Sequence, residues 1–111
     1  AYGFDLMYFS VRRAHDVDIE TGYGCLGDVL VADDRAFGVY EATAGGPRDL
    51  VYMPDKDSPD TKEIILGKVT DLDNPLTFNL DTTGKSVSVQ ITGIKDRERF
   101  DVSTVITRRN Q

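Results

Sequence analysis

The chain has 111 residues, of which 40% are hydrophobic and 29% charged, with a formal net charge of −6. This is the composition of one ordinary globular domain, too short for two domains plus a linker and neither disordered nor fibrous. It contains no run of about 18 apolar residues, so no segment can cross a membrane as a helix. Residues 1–15 hold Asp5 early and lack a basic leading region, which does not read as a retained signal peptide.

Taken in chain order, residues 3–13 are ambiguous. Phe4, Leu6 and Tyr8 alternate with Met7, Phe9 and Val11, while helical spacing would group Phe4, Met7, Tyr8 and Val11. The aromatic content favours a central strand. Gly22-Tyr23-Gly24-Cys25-Leu26-Gly27 then matches G-x-G-x-x-G. A dinucleotide site needs a helix after that string, so that its N-terminus faces a pyrophosphate, and here the following residues read as strand. The glycines are therefore expected to make a turn or a bulged approach to that strand.

Residues 28–32 and 37–42 flank Asp33-Asp34-Arg35-Ala36 as a hairpin with an acidic, exposed loop, and Val29, Val31, Phe37 and Val39 are core candidates. Gly45-Gly46-Pro47 marks the next turn before a short apolar run at 50–53. Ser58-Pro59-Asp60 offers the cap, proline and early acid of a helix start, with Gly67 able to end a two-turn helix. A strand over residues 63–70 is the preferred alternative. Leu76, Phe78 and Leu80 alternate with polar residues, Asp81-Thr82-Thr83-Gly84 has hairpin-turn chemistry, and Val87, Val89 and Ile91 begin the next strand. Gly93-Ile94 suggests a bulge, Lys95-Asp96-Arg97-Glu98 a charged turn, and residues 99–107 a last strand completing a meander. The expected fold is one all-β domain over residues 1–111, an antiparallel β-sandwich or small barrel of about seven or eight short strands with room for one short helix.

The charge is unevenly placed. Residues 1–60 carry five Lys and Arg against twelve Asp and Glu, a net −7, and residues 61–111 carry eight against seven, a net +1. An acidic half repels nucleic acid phosphates and steers toward basic proteins. Asp16, Asp18, Glu20, Asp33 and Asp34, with Tyr23 and Tyr40, are the candidate protein-binding residues, since Tyr2, Tyr23, Tyr40 and Tyr52 are the aromatics expected to reach a surface. The basic residues Lys95, Arg97, Arg99, Arg108 and Arg109 read as a solvated turn and a frayed terminus.

Two other site readings compete. Asp55, Asp57 and Asp60 form the best oxygen-rich loop for a cation such as calcium, although Lys56 intrudes and EF-hand spacing is missing. Cys25 and His15, each the sole residue of its type, would suit a hydrolase if the fold joined them and a third group oriented the imidazole. The leading expectation is a non-enzymatic protein-binding or assembly protein, of the inhibitor, immunity or viral and structural component kind, with a basic protein partner and no cofactor. A small-ligand or metal-binding β-module is the alternative and a Cys/His hydrolase the second. A homodimer through an edge strand would solve the exposed-edge problem of a small sheet. With one cysteine and no disulfide, the expected setting is soluble, the cytoplasm first, with an exported or virion location left open.

Overall fold

The computed structural model describes residues 2–69, 76–80 and 85–109. Among these residues one α-helix, α1 (Tyr2–Arg13), precedes eight strands: β1 (Val17–Thr21), β2 (Leu26–Ala32), β3 (Arg35–Tyr40), β4 (Arg48–Met53), β5 (Glu63–Val69), β6 (Leu76–Leu80), β7 (Ser86–Lys95) and β8 (Glu98–Thr107). They form two antiparallel meanders, a five-stranded sheet in the order β1-β2-β3-β4-β5 and a three-stranded sheet in the order β6-β7-β8. The expected β-sandwich is the observed architecture. No helix of the described residues is long and apolar enough to cross a membrane.

The main core lies between the sheets. Val17, Leu30, Ala32, Phe37, Val39, Leu50 and Tyr52 of the larger sheet meet Phe78, Val87, Val89, Ile91 and Ile106 of the smaller. Phe37 and Tyr52 stack with ring centroids 5.1 Å apart. Tyr52, expected near a surface, is therefore a core residue. Its ring sits on the same face as Leu50, because alternate residues of β4 share a face.

The segment 3–13 corrects the strand reading: it is helical. Met7, Ser10, Val11 and Ala14 are buried at helical spacing, and Asp5 in the first turn with Arg12 and Arg13 in the last complement the helix dipole. Val11 is the only β-branched residue in this stretch, and Leu6, Met7, Arg12 and Arg13 lose little rotamer freedom in a helix. Tyr8 and Phe9, assigned to the two faces of a strand, instead share the exposed side of α1. Residues 58–67 contain pieces of both readings, a single 3-10 turn at Pro59–Thr61 followed by β5.

Gly93 carries no bulge. β7 and β8 stay in continuous register from Ser86↔Thr107 to Lys95↔Glu98, with Gly93 opposite Phe100. Gly93 simply occupies a buried position in line with Val87, Val89 and Ile91, and Ile94 falls on the other face. The register irregularities lie elsewhere, between Leu26 and Leu30 of β2 and along β4 and β5. The β2–β3 turn is also tighter than expected, with only Asp33 and Asp34 between the strands. The expected turn at 81–84 lies outside the described residues.

Candidate functional site

Both faces of the second half of β2, residues 29–32, are buried, and this builds the candidate site. Leu30 and Ala32 point into the main core, while Val29 and Val31 point outward and form a second cluster with Ala36 and Met53. A small open sheet normally leaves its outer face to water. Here two loops cover part of it.

The first is the glycine-rich β1–β2 connection. Gly22, Tyr23 and Gly24 take φ values of 110°, 58° and 73°, and Cys25 N–H donates to the Gly22 carbonyl at 3.0 Å. Consecutive left-handed residues turn the chain back on itself, so Tyr23 and Cys25 pack against the outer cluster. Gly38 of β3 makes room for Cys25: a Cβ added there would lie 3.0 Å from Cys25 Sγ. A strand follows the glycines, as the sequence suggests, and no helix N-terminus faces them.

The second loop is the acidic segment 54–62. Asp55 Oδ1 accepts from Asp57 N–H at 3.0 Å, its carbonyl accepts from Ser58 N–H at 3.0 Å, and Lys56 N–H ties the loop to the Asp34 carbonyl at 2.7 Å. This is the side-chain-to-backbone bonding of an ordinary Asx turn. Among the described residues no three of His, Cys, Asp and Glu gather in a geometry that would hold a metal, so Asp55, Asp57 and Asp60 do not converge.

What does converge is a set of acids around Tyr23. Asp18 and Glu20 of β1 pair with Val31 and Val29, which sets their side chains on the outer face. The Tyr23 hydroxyl donates to Glu20 Oε1 at 2.6 Å. That bond, then burial and the nearby negative charges of Glu20 and Asp57, raise the Tyr23 pKa above 10.0. Asp57, read from sequence as a cation ligand, thus acts on a residue of β1–β2. Tyr40, in line with Gly38 and Ala36, completes the face, with Lys62 Nζ 4.6 Å from its ring centroid. Burial raises the Cys25 pKa, and the Lys62 charge only partly opposes this, so the thiol stays protonated at neutral pH.

The remaining expected residues go elsewhere. Asp33, with φ 55° in the β2–β3 turn, accepts through its carboxylate from His15 N–H and Asp16 N–H at 3.0 to 3.2 Å. Asp16 returns a carbonyl to Asp33 N–H at 3.0 Å. These acids hold the α1–β1 link against the turn and belong to the end of the sheet, not to the Tyr23 face. Beside them an open cleft of about 500 Å³ is lined by Ser10, Arg13, His15, Asp33, Asp34 and Arg35, among others. His15 and Cys25 are not a pair. The register Val17↔Ala32 to Thr21↔Asp28 sets them at opposite ends of the β1–β2 hairpin, roughly 20 Å of strand apart.

Nothing local in the sequence signals that Asp57 and Lys62 join Glu20, Tyr23 and Tyr40, because the meeting depends on two loops folding over one sheet. No protein-family model matches the chain, and no curated protein or solved structure shows significant similarity to it.

Proposed function

We propose that this chain is a non-enzymatic protein-binding domain that recognises a basic partner protein through the outer face of the five-stranded sheet. The observation that carries the reading is the half-buried Tyr23, held on Glu20 above a buried apolar layer, with the Asp57 carboxylate close enough to act on it and Asp18 on the same face of β1. An aromatic centre with a charged rim is the common anatomy of a protein interface. Ile64, 63% exposed and paired with the outward-facing Val51, adds apolar contact area on the same face. The polar hydroxyl–carboxylate pair supplies orientation, and the surrounding charge speeds encounter with a cationic surface.

The test is titration of the full chain with a Lys/Arg-rich peptide, followed by fluorescence anisotropy. Binding should weaken by at least about tenfold when salt is raised several-fold, and by a similar factor in D18N/D57N. Both substitutions fall on exposed side chains, so the fold should be unchanged. Affinity indifferent to salt and to these substitutions would rule the reading out.

A further inference from the structure

Cations from the two ends of the chain, scattered in sequence, form one strip in the fold. The backbone N–H of Arg109 donates to the Arg12 carbonyl at 2.8 Å, and that of Arg108 to the Lys85 carbonyl at 2.6 Å. The Arg108 guanidinium reaches the His15 carbonyl at 2.5 Å. The end of β8 is therefore tied to the end of α1 and to the residue before β7, which corrects the expectation of a frayed terminus at Arg108 and Arg109. Arg12, Arg13, Lys85, Arg108 and Arg109 become neighbours, with Arg13, Lys85 and Arg109 exposed. Lys95, Arg97 and Arg99 do not join them, since the β7–β8 register sets that turn roughly 30 Å away along the strands.

The strip carries two exposed aromatics. Tyr8 is 41% and Phe9 52% exposed, their rings meeting edge to face with centroids 6.0 Å apart. The Arg12 guanidinium lies 5.3 Å from the Tyr8 ring centroid and donates to its hydroxyl at 3.1 Å, and that of Arg13 lies 5.4 Å from the Phe9 ring centroid. Guanidinium and ring stacked in this way are already ordered before any partner arrives, which lowers the entropy cost of binding. Arg and Tyr are also the side chains most often found carrying interface energy. Among the described residues Asp5 lies beside Tyr8, and Asp33 and Asp34 line the same cleft as Arg13.

We infer that this basic aromatic strip docks on the acidic outer face of a second copy of the same chain, so that copies assemble head to tail. The inference rests on the reading of that face as a protein-binding surface and names its partner. Strip and face have opposite charge and use different elements, the ends of α1 and β8 for one and β1 with the two covering loops for the other. One contact therefore leaves a free strip on one copy and a free face on the other, the condition for rings or filaments. At long range the net charge of −6 repels a phosphate polymer and a second copy alike, so the second copy is favoured by the local match between a basic strip and an acidic face present on the same molecule.

Sedimentation velocity of the full chain at low salt should show reversible growth beyond the monomer with concentration, lost when salt shortens the Debye length to a few ångströms. R12Q/R109Q and D18N/D57N should each stay monomeric alone. Mixed in equal amounts they should form dimers and stop there, since only one intact strip and one intact face remain. A misfolded variant would not be rescued in this way. A wild-type chain that stays monomeric at low salt overturns the inference, as does assembly that persists in both variants alone. If that monomeric chain binds single-stranded oligo-dT and loses it in R12Q/R109Q, the strip is a nucleic-acid surface instead. If it still binds the Lys/Arg-rich peptide through Asp18 and Asp57, the self-assembly idea fails and the acidic face keeps its role.

Discussion

The two sheets differ most on the faces they turn away from the shared core. The outer side of β7 and β8 is a plain solvated pleat, where Ser86 and Thr107 share a hydrogen bond at 3.0 Å and Gln90 Nε2 donates to Asp101 at 3.1 Å. The outer side of β2, β3 and β4 is instead an apolar layer of Val29, Val31, Ala36 and Met53, sealed by Tyr23 and Cys25. The contrast teaches that a strand's pattern reports how many of its faces are covered. Strict alternation in β7 belongs to one covered face, and the unbroken run Val29-Leu30-Val31-Ala32 belongs to two.

The largest effect that tests this contrast is a change of packing. Met53 is fully buried on the outer layer, so Met53→Ala should cost about 2–5 kcal/mol in denaturant unfolding, as a core truncation does. Val105, 63% exposed on the other outer face, should tolerate Val105→Thr within about 0.5 kcal/mol. Equal costs at the two sites would erase the distinction between the faces.

Next in size is Gly38→Ala, which forces a methyl against Cys25 Sγ and should destabilise by about 1–3 kcal/mol. Cys25→Ala in the same chain should recover part of that loss, and a double-mutant cycle showing no coupling would mean the β1–β2 loop does not rest on β3. Asp33→Ala removes the acceptor for two backbone N–H groups and places a less tolerant residue at φ 55°, with an expected cost of about 1–3 kcal/mol. Asp33→Asn should retain most of the stability, and neither change should alter peptide binding at the Tyr23 face.

The smallest effect is spectroscopic. Tyr23 should ionise above pH 10.0 in an ultraviolet titration, and Glu20→Gln should move its transition back toward that value. A raised folded-state pKa means the folded chain holds the phenol proton longer than the unfolded chain. The stabilisation linked to it is therefore complete below about pH 10 and is lost as pH rises through the folded-state value. A Tyr23 transition already at the free-tyrosine position would show that the Glu20 bond does not form.

Much of the fold was legible because β-strands advertise themselves locally. The meander of β6, β7 and β8 and the hairpin of β2 and β3 follow from alternation and from turn residues. Residues 3–13 misled because aromatic side chains suit a strand by propensity, whereas Met7, Ser10, Val11 and Ala14 at helical spacing find a core to fill. Gly93-Ile94 misled because an apolar residue out of step looks like an inserted one, although it only occupies the solvent side of a regular strand.

Of the candidate residues, Asp18, Glu20, Tyr23 and Tyr40 share one face, and Asp16, Asp33 and Asp34 serve the end of the sheet. Sequence marked all seven by charge and residue type but could not divide them, since strand pairing decides which face a side chain takes. Asp57 and Arg109 are the sharper cases. Each meets its neighbours, Tyr23 for one and Arg12 for the other, only after loops and termini have folded back across the sandwich.

The antiparallel β character of the chain and the concentration of its acidic excess in the first 60 residues can be read without a structure, because alternation, turn chemistry and charge are local and countable. The division of the acids into two groups, the seating of Tyr23 over a buried apolar layer and the joining of α1 to the end of β8 follow from the folded chain alone. Those outcomes depend on contacts between residues far apart in the chain, and the free energy that selects them comes from burial that no short window of sequence contains.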